Sequence, residues 1–149
     1  MPYTEKLSEQ LTAAAFTSQV TTSSGSTAIT GTIIDGHEYN RIIAYGLLDV
    51  GKTATGVSWT IAWNASVSSA FGGTSQAVTT CSGTFADASF TAAAVDTVVS
   101  CEISGEDVQT ARVAEDRYVR AVLTGTVAAA KVLGVSLLCL ADAKRYHPN

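Results

Sequence analysis

One nine-residue stretch constrains this chain more than any other. In Val57-Ser-Trp-Thr-Ile-Ala-Trp-Asn-Ala65 the odd positions are Val57, Trp59, Ile61, Trp63 and Ala65, and the even positions are Ser58, Thr60, Ala62 and Asn64. Successive side chains of a strand point to opposite faces, so this period of two specifies a β-strand with one buried face. Val98–Ile103 repeats the pattern more weakly. The stretch Arg117–Val127 places Val119, Ala121, Leu123 and Val127 on one side and Tyr118, Arg120, Val122 and Thr124 on the other.

Further strands are predicted over Ala28–Ile34, Tyr39–Leu48, Gln76–Phe85 and Lys131–Leu140, separated by turn signals at Asp35-Gly36, Gly51, Gly72-Gly73, Ser104-Gly105 and Ala114–Asp116. Many short strands with almost no helical periodicity point to an all-β fold, an antiparallel β-sandwich or jelly roll. The last strand is apolar on both sides, through Val132, Leu133, Val135, Leu137, Leu138, Cys139 and Leu140. Such a strand is central in a sheet packed on both sides, or it faces another subunit, and self-association is expected on that ground.

Residues 1–27 read as an N-terminal arm, with the sandwich domain over 28–149. Leu7 and Leu11 lie four apart and Ala14, Ala15 and Phe16 follow, a spacing that predicts a short helix over residues 5–15. The polar run Thr21–Thr27 then reads as a linker. The arm is of the kind that docks on a neighbouring subunit, which makes Leu7 and Leu11 interface candidates.

Charge narrows the function classes. Only 15% of the 149 residues are charged, and Ala, Thr and Ser supply more than a third of the chain. A disordered chain needs low hydrophobicity and high net charge, yet 46% of this one is hydrophobic. Nine basic residues against 13 acidic ones, a net charge of −4, exclude a generic nucleic-acid binder, whose phosphate contacts need clustered Lys and Arg. No apolar run is long enough for a membrane helix. Residues 1–16 carry Glu5, Lys6, Glu9 and Gln10 where a signal peptide needs an apolar core. The three cysteines, Cys81, Cys101 and Cys139, are odd in number and none are spaced as a zinc half-site. They are expected as buried, reduced thiols of a protein made in a reducing cytosol.

Catalytic signatures are weak. Gly46-Leu-Leu-Asp-Val-Gly-Lys-Thr53 satisfies the phosphate-loop string, and Leu137–Asp142 resembles the accompanying strand and Asp. A phosphate loop needs a helix starting at its Lys-Thr pair, whereas here the strongest strand of the chain follows at once. The nucleotide-binding reading of Gly46–Thr53 is therefore rejected in favour of a hairpin turn. Asp35, His37 and Glu38 are too crowded in one turn to surround a metal ion, and read as a solvated turn. The pairs Glu106-Asp107 and Glu115-Asp116 fit charged turns. No catalytic residue, metal site or cofactor is expected. Trp59 and Trp63 could form a sugar-binding platform, but aromatics on a strand face are more often core. Arg117, Tyr118 and Arg120 are the densest charged-aromatic cluster, a composition favoured at protein interfaces.

The second half of the chain resembles a known group. A turn leads into Arg117-Tyr118-Val119-Arg120-Ala121-Val122, then a Thr/Gly/Ala-rich hairpin at Leu123–Ala130, a final apolar strand and the ending Arg145-Tyr146-His147-Pro148. Upstream, Ile33–Ile42 matches an early segment in which a Gly and a Tyr lead into a strand. The pattern, over about residues 28–149, resembles small virion structural proteins of tailed bacteriophages, which include capsid decoration or cement proteins. The resemblance implies a jelly-roll sandwich that sits on the outer capsid surface as a homotrimer, bridges major capsid protein subunits and is assembled in the host cytoplasm. It implies no catalytic residue and no partner among nucleic acids or membranes. The tryptophan-rich strand Val57–Ala65 departs from the group pattern and leaves open a tail or baseplate protein, or a sugar-binding module.

Overall fold

The alternation at Val57–Ala65 becomes the middle of β5 (Thr55–Ser66). Val57, Ile61, Trp63 and Ala65 are buried completely, Trp59 packs partly against them, and Ser58, Thr60, Ala62 and Asn64 lie on the opposite face. In this computed structural model the described residues are 11–22, 25–50, 55–72, 75–85, 95–104, 117–128 and 133–142.

The other long strands are β1 (Leu11–Thr22), β2 (Gly25–Thr30), β4 (Arg41–Val50), β6 (Gln76–Phe85), β7 (Val95–Ser104), β8 (Tyr118–Ala128) and β9 (Leu133–Asp142). A two-residue strand, β3 (Ile34–Asp35), leads into a 3-10 turn at Gly36–Glu38. Two antiparallel sheets result. One has the order β1-β9-β4-β7, and the other has the order β2-β8-β5-β6 with β3 added on β8. Eight long strands divided between two four-strand layers in this order form a jelly roll, as the residue patterning predicts.

The order has a direct consequence for connectivity. Of the consecutive long strands described, only β5 and β6 share a ladder. β4 lies in one sheet and β5 in the other, so the turn expected at Gly51 joins two sheets and closes no hairpin. Residues 51–54 themselves lie outside the described residues. The hairpin expected at Leu123–Ala130 is also corrected: β8 runs on through Ala128, and its successor β9 belongs to the opposite sheet.

The helix expected over residues 5–15 is not what its described part forms. Leu11 opens β1, which pairs with β9 from Leu11–Asp142 to Thr22–Leu133. A short isolated helix is marginal in water, and the ladder along β9 satisfies a whole row of backbone groups instead. Leu7 lies outside the described residues. β9 is central, between β1 and β4, as its two apolar faces require.

The core lies between the sheets. Its largest fully buried side chains are Trp63, Leu48, Ile61, Ile103, Leu123, Leu137, Val57 and Val119. Val119, Ala121 and Leu123 form the inner face of β8 as the sequence predicts.

The cysteine expectation needs correction. Cys81 on β6 and Cys101 on β7 form a disulfide, with a Cα–Cα distance of 5.6 Å. β6 is the edge of one sheet and β7 the edge of the other, so the bond staples the sandwich along one open side. The pairing is invisible in a one-dimensional spacing because it depends on which two edges face each other. Cys139 is free and buried, in line with the sequence reading.

Candidate functional site

The two sheets turn very different outer faces outward. Strands β2, β5, β6 and β8 contain a single charged residue between them, Arg120. The outer side of β8 presents Val122, Thr124 and Thr126, flanked on β5 by Ala62, Thr60 and Ser58 in register. On β6 the row continues with exposed Thr80, Ser82 and Thr84. Thr126 Oγ1 lies 3.1 Å from Ser26 Oγ on β2, so neighbouring hydroxyls hydrogen-bond along the surface. The result is a flat field of short, neutral side chains.

The Arg117, Tyr118 and Arg120 cluster lies at one end of this field. Arg117 is exposed but spends its contacts on its own chain. Its guanidinium pairs with Asp35, with Nε donating at 2.7 Å. Its N–H donates to Ser66 O at 3.2 Å, and its carbonyl accepts from Gly36 N–H at 2.9 Å. The guanidinium also lies 5.7 Å from the Tyr118 ring. Burial pushes the Asp35 carboxyl up, but the hydrogen bond from Arg117, the His37 N–H and the nearby positive charge outweigh it and hold the group below its ordinary value.

Arg120 rests on Phe71, 4.2 Å from the ring centroid. Phe71 sits in the β5–β6 connection with a φ of 50°, held by its N–H donating to Ser68 O at 2.9 Å. The Nε of Arg120 is out of water and has no hydrogen-bond partner. The aromatic face supplies a cation–π contact in its place. The three residues are neighbours in sequence that reach different partners, Arg117 towards Asp35 and Tyr118, and Arg120 towards Phe71, and both arginines brace the fold. Leu11, the other candidate within the described residues, opens β1 opposite Asp142.

The remaining candidates lose their chemistry. Trp63 is sealed in the core, and its Nε1 donates to Cys101 O at 3.0 Å. Trp59 faces inward over Gly83, its cross-strand partner. The two indoles form no exposed platform. Gly46 of the phosphate-loop string lies inside β4, four residues before the strand ends, and β5 follows as a strand. Among the described residues no helix N-terminus follows Gly46 to meet a phosphate. Among the described residues no group of three His, Cys, Asp or Glu side chains could hold a metal ion.

Sequence reasoning reached the second outer face, that of β1-β9-β4-β7, only through the two apolar sides of its last strand, and missed the part that β4 and β7 supply. Ile43, Tyr45 and Leu47 on β4 lie beside Leu138 and Leu140 on β9 and Val98 on β7. Val98 is 64% exposed and Leu47 is 37% exposed. The signal was present in the sequence as the apolar stretch Tyr39–Leu48, but only the pairing with β9 gathers those residues into one patch.

No protein-family model matches the sequence, and no curated protein matches it. Solved structures do. A chain from infectious bursal disease virus, Gx strain, is 16% identical with a TM-score of 0.50, and the match covers 90% of this chain and 31% of that one. A chain of Desmodium yellow mottle tymovirus matches with 8% identity and a TM-score of 0.37, covering 100% of this chain and 96% of that one. Eiger TNF from S. frugiperda matches with 13% identity and a TM-score of 0.36, covering 94% and 98%. This chain spans about a third of the length of the bursal disease virus chain, with which it shares its jelly-roll fold.

Proposed function

We propose that the protein is a non-enzymatic structural component of a virion, a capsid decoration protein of a tailed bacteriophage. It binds the outer capsid surface and braces neighbouring major capsid subunits. The observation that carries this reading is the outer face of β2-β8-β5-β6, where four strands expose one charged residue. A face of that kind can be covered by a lattice without stranding buried charge. Arg117, Tyr118 and Arg120 stand at its rim, a composition favoured at interfaces. Each contact is weak, and many copies on one lattice make the binding firm. Jelly rolls serve viral capsids and lectins alike. The inward orientation of both tryptophans removes the sugar-binding platform, and the fold shared with the bursal disease virus chain adds support by analogy.

The test is cosedimentation with capsids of the phage that encodes the protein, assembled without it. Wild type is expected to pellet with the capsids. Ala62→Glu and Thr124→Glu, which place charge in the neutral face, are expected to weaken binding about tenfold with melting unchanged. Failure of the wild type to bind refutes the decoration role, and binding to tail assemblies instead makes the protein a tail or baseplate component.

A further inference from the structure

The disulfide between β6 and β7 is unevenly buried. Cys101 is 2% exposed, its carbonyl accepts from the Trp63 indole, and Val99 and Ile103 of its strand enter the core on either side of it. Cys81 is only half-buried, and stands between exposed Thr80 and Ser82 on the outermost strand of its sheet. From Gln76 to Thr84 that strand has no fully buried residue, and Val78 and Cys81 pack against the core from it. Cys139 is no rival partner. Ala44 on β4 is the register neighbour of both Cys101 and Cys139, which puts those two about 10 Å apart, two strand spacings. A disulfide needs Cα atoms within about 7 Å.

We propose that this disulfide is made and broken through Cys81, which takes glutathione as a mixed disulfide that Cys101 then resolves. A hydrated, charged tripeptide reaches only a sulfur with access to solvent, and a close-packed core leaves it no path to Cys101. The Cys81 thiolate attacks one sulfur of glutathione disulfide. A Cys81–glutathione bond forms, the glutathione S–S bond breaks, and the first glutathione takes up the Cys81 proton through solvent. Cys101 then gives up its proton and attacks Cys81 Sγ. The protein disulfide forms, the bond to glutathione breaks, and the second glutathione takes up the Cys101 proton. Two protein thiols are oxidised, one glutathione disulfide is reduced to two thiols, and no other oxidant takes part. Reduction runs the same steps backward, with attack at Cys81 and Cys101 as the leaving thiolate.

The exchange works a latch on β6. Among the described strands β6 has a ladder to β5 alone, and the disulfide ties it covalently to the opposite sheet. Opening the bond leaves an edge strand with no fully buried residue between Gln76 and Thr84, the kind of element that opens locally first. Thr80, Ser82 and Thr84 of the neutral face lie on it, so the thiol redox state sets how firmly that part of the face is held. The exchange stands whether or not the neutral face binds a capsid.

Acid quenching followed by intact-mass and peptide-mapping mass spectrometry tests it, with glutathione as the probe. Reduced, folded wild type is treated with glutathione disulfide at mildly alkaline pH for timed intervals, and the transient single adduct is expected on Cys81. Cys101→Ala is expected to accumulate one glutathione, on Cys81. Cys81→Ala is expected to react about a hundredfold more slowly, because Cys101 is reached only after local opening. Circular dichroism melting shows that each variant is folded at the temperature used, and the wild-type time course stands without either variant. Amide hydrogen exchange over residues 76–84 is expected to quicken about tenfold on reduction, with β8 unchanged. A first adduct on Cys101 overturns the proposal, as do equal rates in the two variants or a wild type that forms no disulfide. Unchanged exchange over residues 76–84 overturns the latch.

Discussion

Trp63 of one sheet is hydrogen-bonded to Cys101 of the other: the indole Nε1 donates to the Cys101 carbonyl at 3.0 Å, inside the core. The acceptor residue also carries the disulfide to Cys81, whose strand β6 is the ladder neighbour of β5. The open side of the sandwich is therefore closed twice at one residue, once by a covalent bond and once by a buried hydrogen bond.

Trp63→Phe removes the donor and leaves a buried carbonyl without its partner. A loss of about 1–3 kcal/mol is expected. Trp63→Ala also empties a large volume and should cost about 3–5 kcal/mol. Urea denaturation of both variants checks the difference between them.

The disulfide links residues 20 apart in sequence. In the chain-entropy account a loop of that size contributes about 3 kcal/mol. Cys81→Ala is expected to lose about that much, and reduction of the wild type should lower its stability to a similar level. Cys139 responds differently, because burial pushes its thiol up to about 12. The native protein is expected to leave a thiol reagent unreacted at pH 8. Denatured without reductant it should titrate one thiol per chain, and after reduction three.

Asp35 and Arg117 predict an acid response. The folded Asp35 carboxyl titrates below its ordinary value, so its ion pair adds stability above that value and loses it as the pH falls through the lower, folded one. Asp35→Asn should therefore be less stable than wild type at pH 7, with the difference fading below about pH 4. Melting temperatures between pH 7 and pH 2.5 check the convergence. A gap that does not narrow at all between pH 7 and pH 2.5 would mean that the effect is not carried by the carboxylate charge.

Gly46 lets the two sheets approach. A Cβ placed there would stand 2.8 Å from Leu123 Cδ2 of the opposite sheet and 3.0 Å from Val99 Cγ2. Gly46→Ala is expected to cost about 1–3 kcal/mol through overpacking, measurable by denaturant unfolding. The first glycine of the phosphate-loop string is thus a packing residue.

Sequence alone determined which side of each strand is buried. Val57, Ile61 and Trp63 on β5, and Val119, Ala121 and Leu123 on β8, could be assigned inward from their period of two, because half-burial writes itself locally into the chain. The all-β class, the central place of β9 and the cluster Arg117, Tyr118 and Arg120 followed from the same kind of reading. Only the tertiary structure decided which strands are neighbours. Alternation says that a face is covered but not by what, and in this jelly roll nearly every ladder joins strands distant in sequence. For that reason only the first residues of β1, Leu11–Ala15, read as the end of a helix until the edge of β9 claimed their backbone groups. For the same reason Cys81 and Cys101 looked unrelated until two sheet edges met, and the apolar patch around Tyr45 appeared only when β4, β7 and β9 lay side by side.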